Sequence, residues 1–267
     1  MPQADENPRE PQGAKRGFFG AMKSVDTARH SVDHLDDGRI RFAIEHENMA
    51  GVTPQMMRWW FENVDAWTRY NGEGFTGPLV PVYRYWHPHD HISVRWHRRV
   101  TVDGRLAPGS IIRIEENLGG KHPVRAKARV SRFDDEGFDF DILLGGLVPV
   151  GRVLHRYAEV EGGASFHTEA LMGVRLPLVG RLLNALIRRL AFSEEMMVDW
   201  ITHNVEESGE TEKFVPAPFC RSPTAGESRG WRRLGAFRRQ LLPRPVDLRQ
   251  LLFGGIGIAW IQAGQLQ

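Results

Sequence analysis

Residues 153–176 read VLHRYAEVEGGASFHTEALMGVRL. Two runs rich in aromatic and β-branched residues flank Glu161-Gly162-Gly163-Ala164, the pattern of two antiparallel strands joined by a tight hairpin. Pro177 closes the second run. Beyond it, Val179 to Ser208 carries Leu182, Leu186, Leu190, Met197, Trp200 and Ile201 at helical spacing, with Gly209 as the expected stop. The chain therefore turns from a strand ladder into one long terminal helix.

Working backwards, further strand-like runs occur at residues 79–86 (LVPVYRYW), 91–103 (HISVRWHRRVTVD), 110–118 (SIIRIEENL), 124–134 (VRAKARVSRFD), 137–144 (GFDFDILL) and 147–162. VDGR at 102–105 and DDEG at 134–137 are two more hairpin signals. About seven strands in succession with little helix between them predict an antiparallel sheet, hence an α+β fold. Ahead of the strands lies TPQMMRWWFENVDAWTRY (53–70). Thr53 suits an N-cap and Pro54 the first helical position. Met56, Trp59, Trp60, Asn63 and Trp67 extend a helical pattern over about four turns. A curved sheet wrapped around a long terminal helix would enclose a cavity. The tryptophans read more readily as core than as cofactor contacts.

Charge divides the chain unevenly. Residues 220–267 hold eight arginines against Glu227 and Asp247. With a formal net charge of +2 overall, residues 1–219 carry about −4. The arginines have no interleaved aromatics, so nucleic-acid binding is not expected. Three units follow: a polar lead-in over 1–38, partly disordered, a folded domain over 39–219, and a basic C-terminal extension over 220–267. Cys220 is the sole cysteine, which excludes an internal disulfide and suits a reducing compartment. The N-terminus has no signal-peptide core, and LLFGGIGIAWI (251–261) is too short to span a bilayer, so a cytoplasmic protein with no membrane span is expected.

The chemistry begins at His203 and Glu207 in WITHNVEESGETEKFVP. An i, i+4 spacing places imidazole and carboxylate on one helical face, where both can meet one ion. Partners could come from His87, His89, Asp90 and His91 in YRYWHPHDH, from Glu115 or Glu116 in IIRIEENLGG, or from His155 and His167. If Ile112 and Ile114 face inward, Glu116 shares their face and Glu115 does not. A carboxylate aimed into a cavity needs an ion or a partner. A set of two His and two Glu suits zinc, and less selectively other divalent ions. The bland alternatives are a surface ion pair on the helix, a solvated histidine loop and an exposed strand end. No nucleophile elbow, Walker loop or dinucleotide fingerprint is present, and Cys220 reads as an ordinary thiol.

Four runs in order, GVTPQMMRWWF, YRYWHPHDH, IEENLGG and HNVEESGETEKFVPAPF, resemble the diacetylphloroglucinol hydrolase family over roughly residues 48–219. The most specific are Tyr-x-x-Trp-x-Pro-x-x-His and the His-x-x-x-Glu run ending in Phe-x-Pro. The resemblance implies a helix-grip fold of the START or birch-pollen-allergen type. It also implies a zinc-dependent hydrolase that cleaves the carbon–carbon bond between an acyl group and a phenolic ring or related polyketide. It assigns the zinc ligands to His91, Glu116 (with Glu115 as the competing register), His203 and Glu207, and it gives Tyr83 and His155 catalytic places in the pocket. A small aromatic or polyketide substrate is the implied partner, and a homodimer is an open state. Gly209-Glu210 departs from the Gly-Asn of many members, and the basic extension has no clear counterpart.

Overall fold

A computed structural model describes residues 15–190 and 192–220 and the backbone of residues 231–232. The basic extension therefore lies, apart from Cys220 and those two residues, outside the described residues, as do residues 1–14. Its centre is a nine-stranded antiparallel sheet built from β1 (Arg29–His34), β2 (Ile40–Glu45), β3 (Met49–Ala50), β4 (His91–Arg98), β5 (Ile111–Leu118), β6 (His122–Phe133), β7 (Gly137–Leu144), β8 (Val148–Val160) and β9 (Gly163–Met172). The spatial order is β1-β2-β9-β8-β7-β6-β5-β4, with β3 pairing to the start of β9. Alternation produces the two faces. Ile40, Phe42 and Ile44 on β2, and Ala164, Phe166, Thr168, Ala170 and Met172 on β9, are buried at every second position. The concave face grips α4 (Glu194–Phe214), which makes this a helix-grip fold.

The hairpin signals hold. Val160 pairs with Gly163 across Glu161-Gly162, where Gly162 has φ of 76°. Thr101–Val102 and Arg105–Leu106 form a ribbon about Asp103 and Gly104, both at positive φ.

Five local readings change. Residues 79–86 are a strand only at Val80–Pro81. Val82–Trp86 is instead a short helix, α2, which buries Val82, Tyr83, Tyr85 and Trp86 together where strand alternation would have exposed half of them. The first helix, α1 (Pro54–Asn63), begins as expected, with Thr53 Oγ1 accepting from Met56 N at 3.2 Å. It stops before Trp67, which pairs in a strand with Pro81. The long helical region is two helices, α3 (Gly180–Leu190) and α4, and Ser193 caps the second by accepting from Met196 N at 3.2 Å. Gly209 does not end α4; it is buried within it, because a Cβ there would meet Lys23 Cγ at 2.6 Å. Within the polar lead-in, Arg29–His34 forms an edge strand of the sheet; its side chains are mostly exposed, which hides the strand from a hydrophobicity reading.

Trp59 and Trp60 belong to the core. Trp60 is fully buried and meets Trp86 and Phe214 edge-on at 5.2 and 5.0 Å between ring centroids. Burying one such side chain removes roughly 200 Å² from water, on the order of 5 kcal/mol. Trp86 Nε1 also donates to Thr211 Oγ1 at 2.8 Å and so ties α2 to α4. Among the described residues no helix is long and apolar enough to cross a membrane.

Candidate metal centre

The short helix α2 and the turn after it set up the site. His87 N donates to Tyr83 O, and His91 N donates to His87 O, so the HPHDH run coils back over α2 before entering β4. His91 is the first residue of β4 and lies opposite Glu116 on β5, where the register shifts between Glu115 and Glu116. Glu115 faces out and accepts from Ser93 Oγ at 3.1 Å. Glu116 faces in, as the alternation of Ile112 and Ile114 requires. From the opposite side α4 presents His203 and Glu207, both buried.

These side chains converge. His91 Nε2 lies 3.2 Å from His203 Nε2, 3.4 Å from Glu207 Oε2 and 3.7 Å from Glu116 Oε1. His203 Nε2 is 3.5 Å from Glu207 Oε2. A tetrahedral zinc with ligands at about 2.0–2.2 Å has ligand–ligand edges of about 3.3–3.6 Å. His91, His203 and Glu207 match that edge closely, and Glu116 stands just outside it.

The surrounding hydrogen bonds decide which nitrogens face inward. His91 Nδ1 is 2.7 Å from the Tyr83 carbonyl, and His203 Nδ1 is 3.1 Å from Asp90 Oδ2. With each Nδ1–H donated outward, both Nε2 atoms point their binding lone pairs at one another. Two such buried nitrogens between buried Glu207 and half-buried Glu116 form a donor set that a divalent cation satisfies and that proton-free side chains alone do not. Burial lowers the His91 pKa well below its ordinary value and lifts that of Glu207 to about 8. For His203 burial acts downward, but Glu207, Asp90 and Glu116 prevail and raise it to about 9. Without an ion the pocket keeps protons, and these must leave when an ion enters.

Tyr83 supports two of the four groups. Its ring stacks on His91 at 3.6 Å between centroids and 5° between planes, and its hydroxyl donates to Glu116 Oε1. Behind the site runs a second buried network that the sequence reading did not assign. Asp90 Oδ2 also accepts from Gly119 N at 3.1 Å, and Asp90 N donates to His87 Nδ1 at 3.0 Å. That bond leaves the proton of neutral His87 on Nε2, which lies 2.8 Å from Glu206 Oε2; Glu206 in turn pairs with Lys15 at 3.0 Å. His87 and Glu206 thus satisfy each other. Of the other candidates, His89 is exposed and lies 2.9 Å from Arg16 O, and His167 lies outside the cluster.

Three of the four groups, Glu116, His203 and Glu207, line the floor of a cavity of about 120 Å³. Its walls are apolar, with Ile112, Ile114, Phe138, Phe140, Val153 and Met196 among them. A cavity of roughly 150 Å³ holds one benzene ring, so the space is on the scale of a single small ring. His155 lines the wall; its Nδ1 lies 3.1 Å from Phe138 O, and the Phe61, Phe138, Phe140 and Phe166 rings surround it at 5.2–5.9 Å. Burial lowers its pKa to about 4, against the Phe138 carbonyl and Asp139, so it is neutral near pH 7. Trp200 is half-buried on the same wall.

No family model and no curated protein sequence matches the chain. Solved structures of similar outline include the di-domain ARO/CYC protein BexL of the BE-7585A biosynthetic pathway, at 11% identity and a TM-score of 0.37 over 64% of this chain and 51% of that one. Ara h 8.0201 gives 13% and 0.37, over 66% and 99%. A START superfamily protein from Mycobacterium smegmatis gives 11% and 0.35, over 63% and 97%. The chain spans about half the length of the di-domain protein. At these scores the helix-grip assignment stands on the sheet and helix themselves, and the site on its own geometry.

Proposed function

We propose that the chain is a zinc-dependent hydrolase that cleaves the carbon–carbon bond between an acyl group and a phenolic ring, or a related polyketide, held in the cavity. One observation carries this reading: His91, His203 and Glu207 converge at tetrahedral spacing with Glu116 beside them, and Glu116, His203 and Glu207 line a ring-sized apolar cavity. These four residues would hold the ion. Zinc at such a site supplies an activated water and polarises a carbonyl. The choice of a carbon–carbon bond rests on the resemblance of the four sequence runs to the diacetylphloroglucinol hydrolase family.

The protein's own groups do the remaining work. Apolar walls exclude bulk water and hold the ring face-on. His155 keeps Nδ1 occupied by the Phe138 carbonyl, which leaves Nε2 to accept the proton of a ring hydroxyl. Tyr83 stays protonated, since burial and Glu116 raise its pKa well above the ordinary phenol value, and it holds Glu116 in place. Overall, water adds across the bond: the ring carbon takes a proton, the acyl carbon takes hydroxide, and a phenol and a carboxylic acid result.

Elemental analysis of the purified full chain should find about one zinc per chain. His203→Ala should lose the metal and at least a hundredfold in acylphenol hydrolysis, a loss typical of removing a principal catalytic group. A native chain without stoichiometric metal, whose melting temperature ignores chelators, would overturn the reading. The apolar lining favours a second one, a non-catalytic carrier of a small apolar ligand; ligand uptake by metal-free protein with no turnover would establish it. Turnover of simple esters in preference to acylphenols would place the same site in a different class of metal hydrolase.

A further inference from the structure

The segment from Gly173 to Ser193 leaves a run of large apolar side chains uncovered. Helix α3 is fastened to the body by polar groups: Asn184 Nδ2 donates to Asp37 O at 3.0 Å and to Val174 O at 2.9 Å, and Asn184 Oδ1 accepts from Val174 N at 2.7 Å. Arg188 donates to Gly38 O. Asn184 and Ile187 are buried while Leu182 and Leu186, one turn apart, are 78% and 51% exposed. Ahead of the helix Leu176 and Val179 are also exposed, and Leu178 lies wholly in solvent. Its φ of 64° is a conformation that residues with a Cβ avoid, held in a tight turn where Val179 N donates to Pro177 O at 2.7 Å.

This face continues onto the neighbouring hairpin. Gly173 N donates to Val150 O, which brings the start of β8 beside the segment, and the hairpin tip exposes Leu144, Leu147 and Val148. The apolar surface is contiguous in the chain with the cavity: Ile142 and Phe192 both line the cavity wall. Residues 173–193 contain Arg175, Arg181, Arg188 and Arg189 and no acidic residue.

We infer that this face docks on an anionic lipid surface. Exposed leucines with the exposed Arg181 and Arg189 on the same helix fit the boundary between acyl chains and negatively charged headgroups. A second copy of this chain fits less well, since a two-fold contact would set arginine against arginine. The arginine-rich stretch 220–267 carries the same sign and so is no electrostatic match for the face, whereas it adds to attraction by an anionic bilayer. Docking would open the cavity rim towards molecules dissolved in the membrane.

Co-sedimentation of the full chain with phosphatidylglycerol/phosphatidylcholine vesicles tests this. Binding is expected to the mixed vesicles and not to pure phosphatidylcholine, to weaken at high salt, and to fall at least tenfold in Leu178→Asp/Leu182→Asp. Arg181→Gln/Arg189→Gln should weaken it several-fold. Both variants alter exposed side chains, and unchanged circular dichroism would verify their folding. Absence of binding to anionic vesicles overturns the proposal, as does undiminished binding by the leucine variant. So does a native dimer that the leucine variant converts to monomer, which would give the face to a second copy. The metal reading is independent: His203→Ala should bind vesicles as the native chain does.

Discussion

At the scale of single residues, Asp90 is the most informative group outside the four that converge. It is buried, yet hydrogen bonds from His203 and Gly119 and the proximity of His87 overcome the upward effect of burial and hold its pKa at about 2. An ionised carboxylate on His203 Nδ1 fixes the ring and makes Nε2 a stronger donor to a cation. Asp90→Asn keeps the shape and an accepting oxygen but loses the charge. We expect it to weaken zinc binding about 10–100-fold, measured by competition with a chromophoric chelator; unchanged affinity would remove Asp90 from the site's support. The sequence made the histidine–glutamate pair legible because both partners lie within one turn of one helix. The choice of Glu116 over Glu115 followed from strand alternation. The bond between His87 and Glu206, separated by 119 positions, could not be read, because only the packing of α2 against α4 brings them together.

Among the elements, the hairpin between β8 and β9 is where sequence and backbone agree most closely. Gly162 supplies the positive φ of the turn, while Gly163 is required for another reason. A Cβ on Gly163 would lie 2.1 Å from the Met49 carbonyl oxygen, because β3 pairs there at Ala50. Backbone cannot swing aside as a flexible side chain does, so Gly163→Ala must separate β3 from β9. The expected loss is about 1–3 kcal/mol, read as a lower denaturation midpoint with the metal content unchanged; a midpoint equal to native would show that β3 yields freely. The ladder β4 to β9 was legible because its strands are rich in β-branched and aromatic residues and glycine sits in or beside each turn. The elements that eluded the pattern did so for physical causes. Helix α2 is buried through nearly every residue, leaving no period to detect. Arg29–His34 buries almost none of its side chains. Gly209 lies mid-helix because Lys23 crosses it closely, a contact no local rule contains.

Over the whole molecule, the curvature that creates the cavity also seals histidines in an apolar interior, and this sets the response to acid. His46 is buried against Phe166 with centroids 4.7 Å apart and lies 3.1 Å from Thr168 Oγ1. Its pKa falls to about 3, first through burial and then through repulsion by His155, Lys23 and His167; that of His155 falls to about 4. Both folded values lie below that of an unfolded histidine, about 6.5. Between those limits the unfolded chain binds more protons than the folded one, so stability is complete above about pH 6.5 and declines as pH drops towards the folded values. Each of these two histidines should remove about 1.4 kcal/mol per pH unit in that window, or about 2 kcal/mol by pH 5. Urea denaturation of the full chain at pH 7 and pH 5 measures the whole acid response, to which His87 and His91, lowered by burial, and His203 and Glu207, raised, also contribute. His46→Gln, which keeps a hydrogen-bonding group near Thr168 but cannot titrate, should lessen the pH 5 loss by about 2 kcal/mol while leaving that of His155. If the variant's acid response matched the native one, His46 would have to admit a proton without unfolding, and the sealed interior inferred from its packing would be wrong at that point.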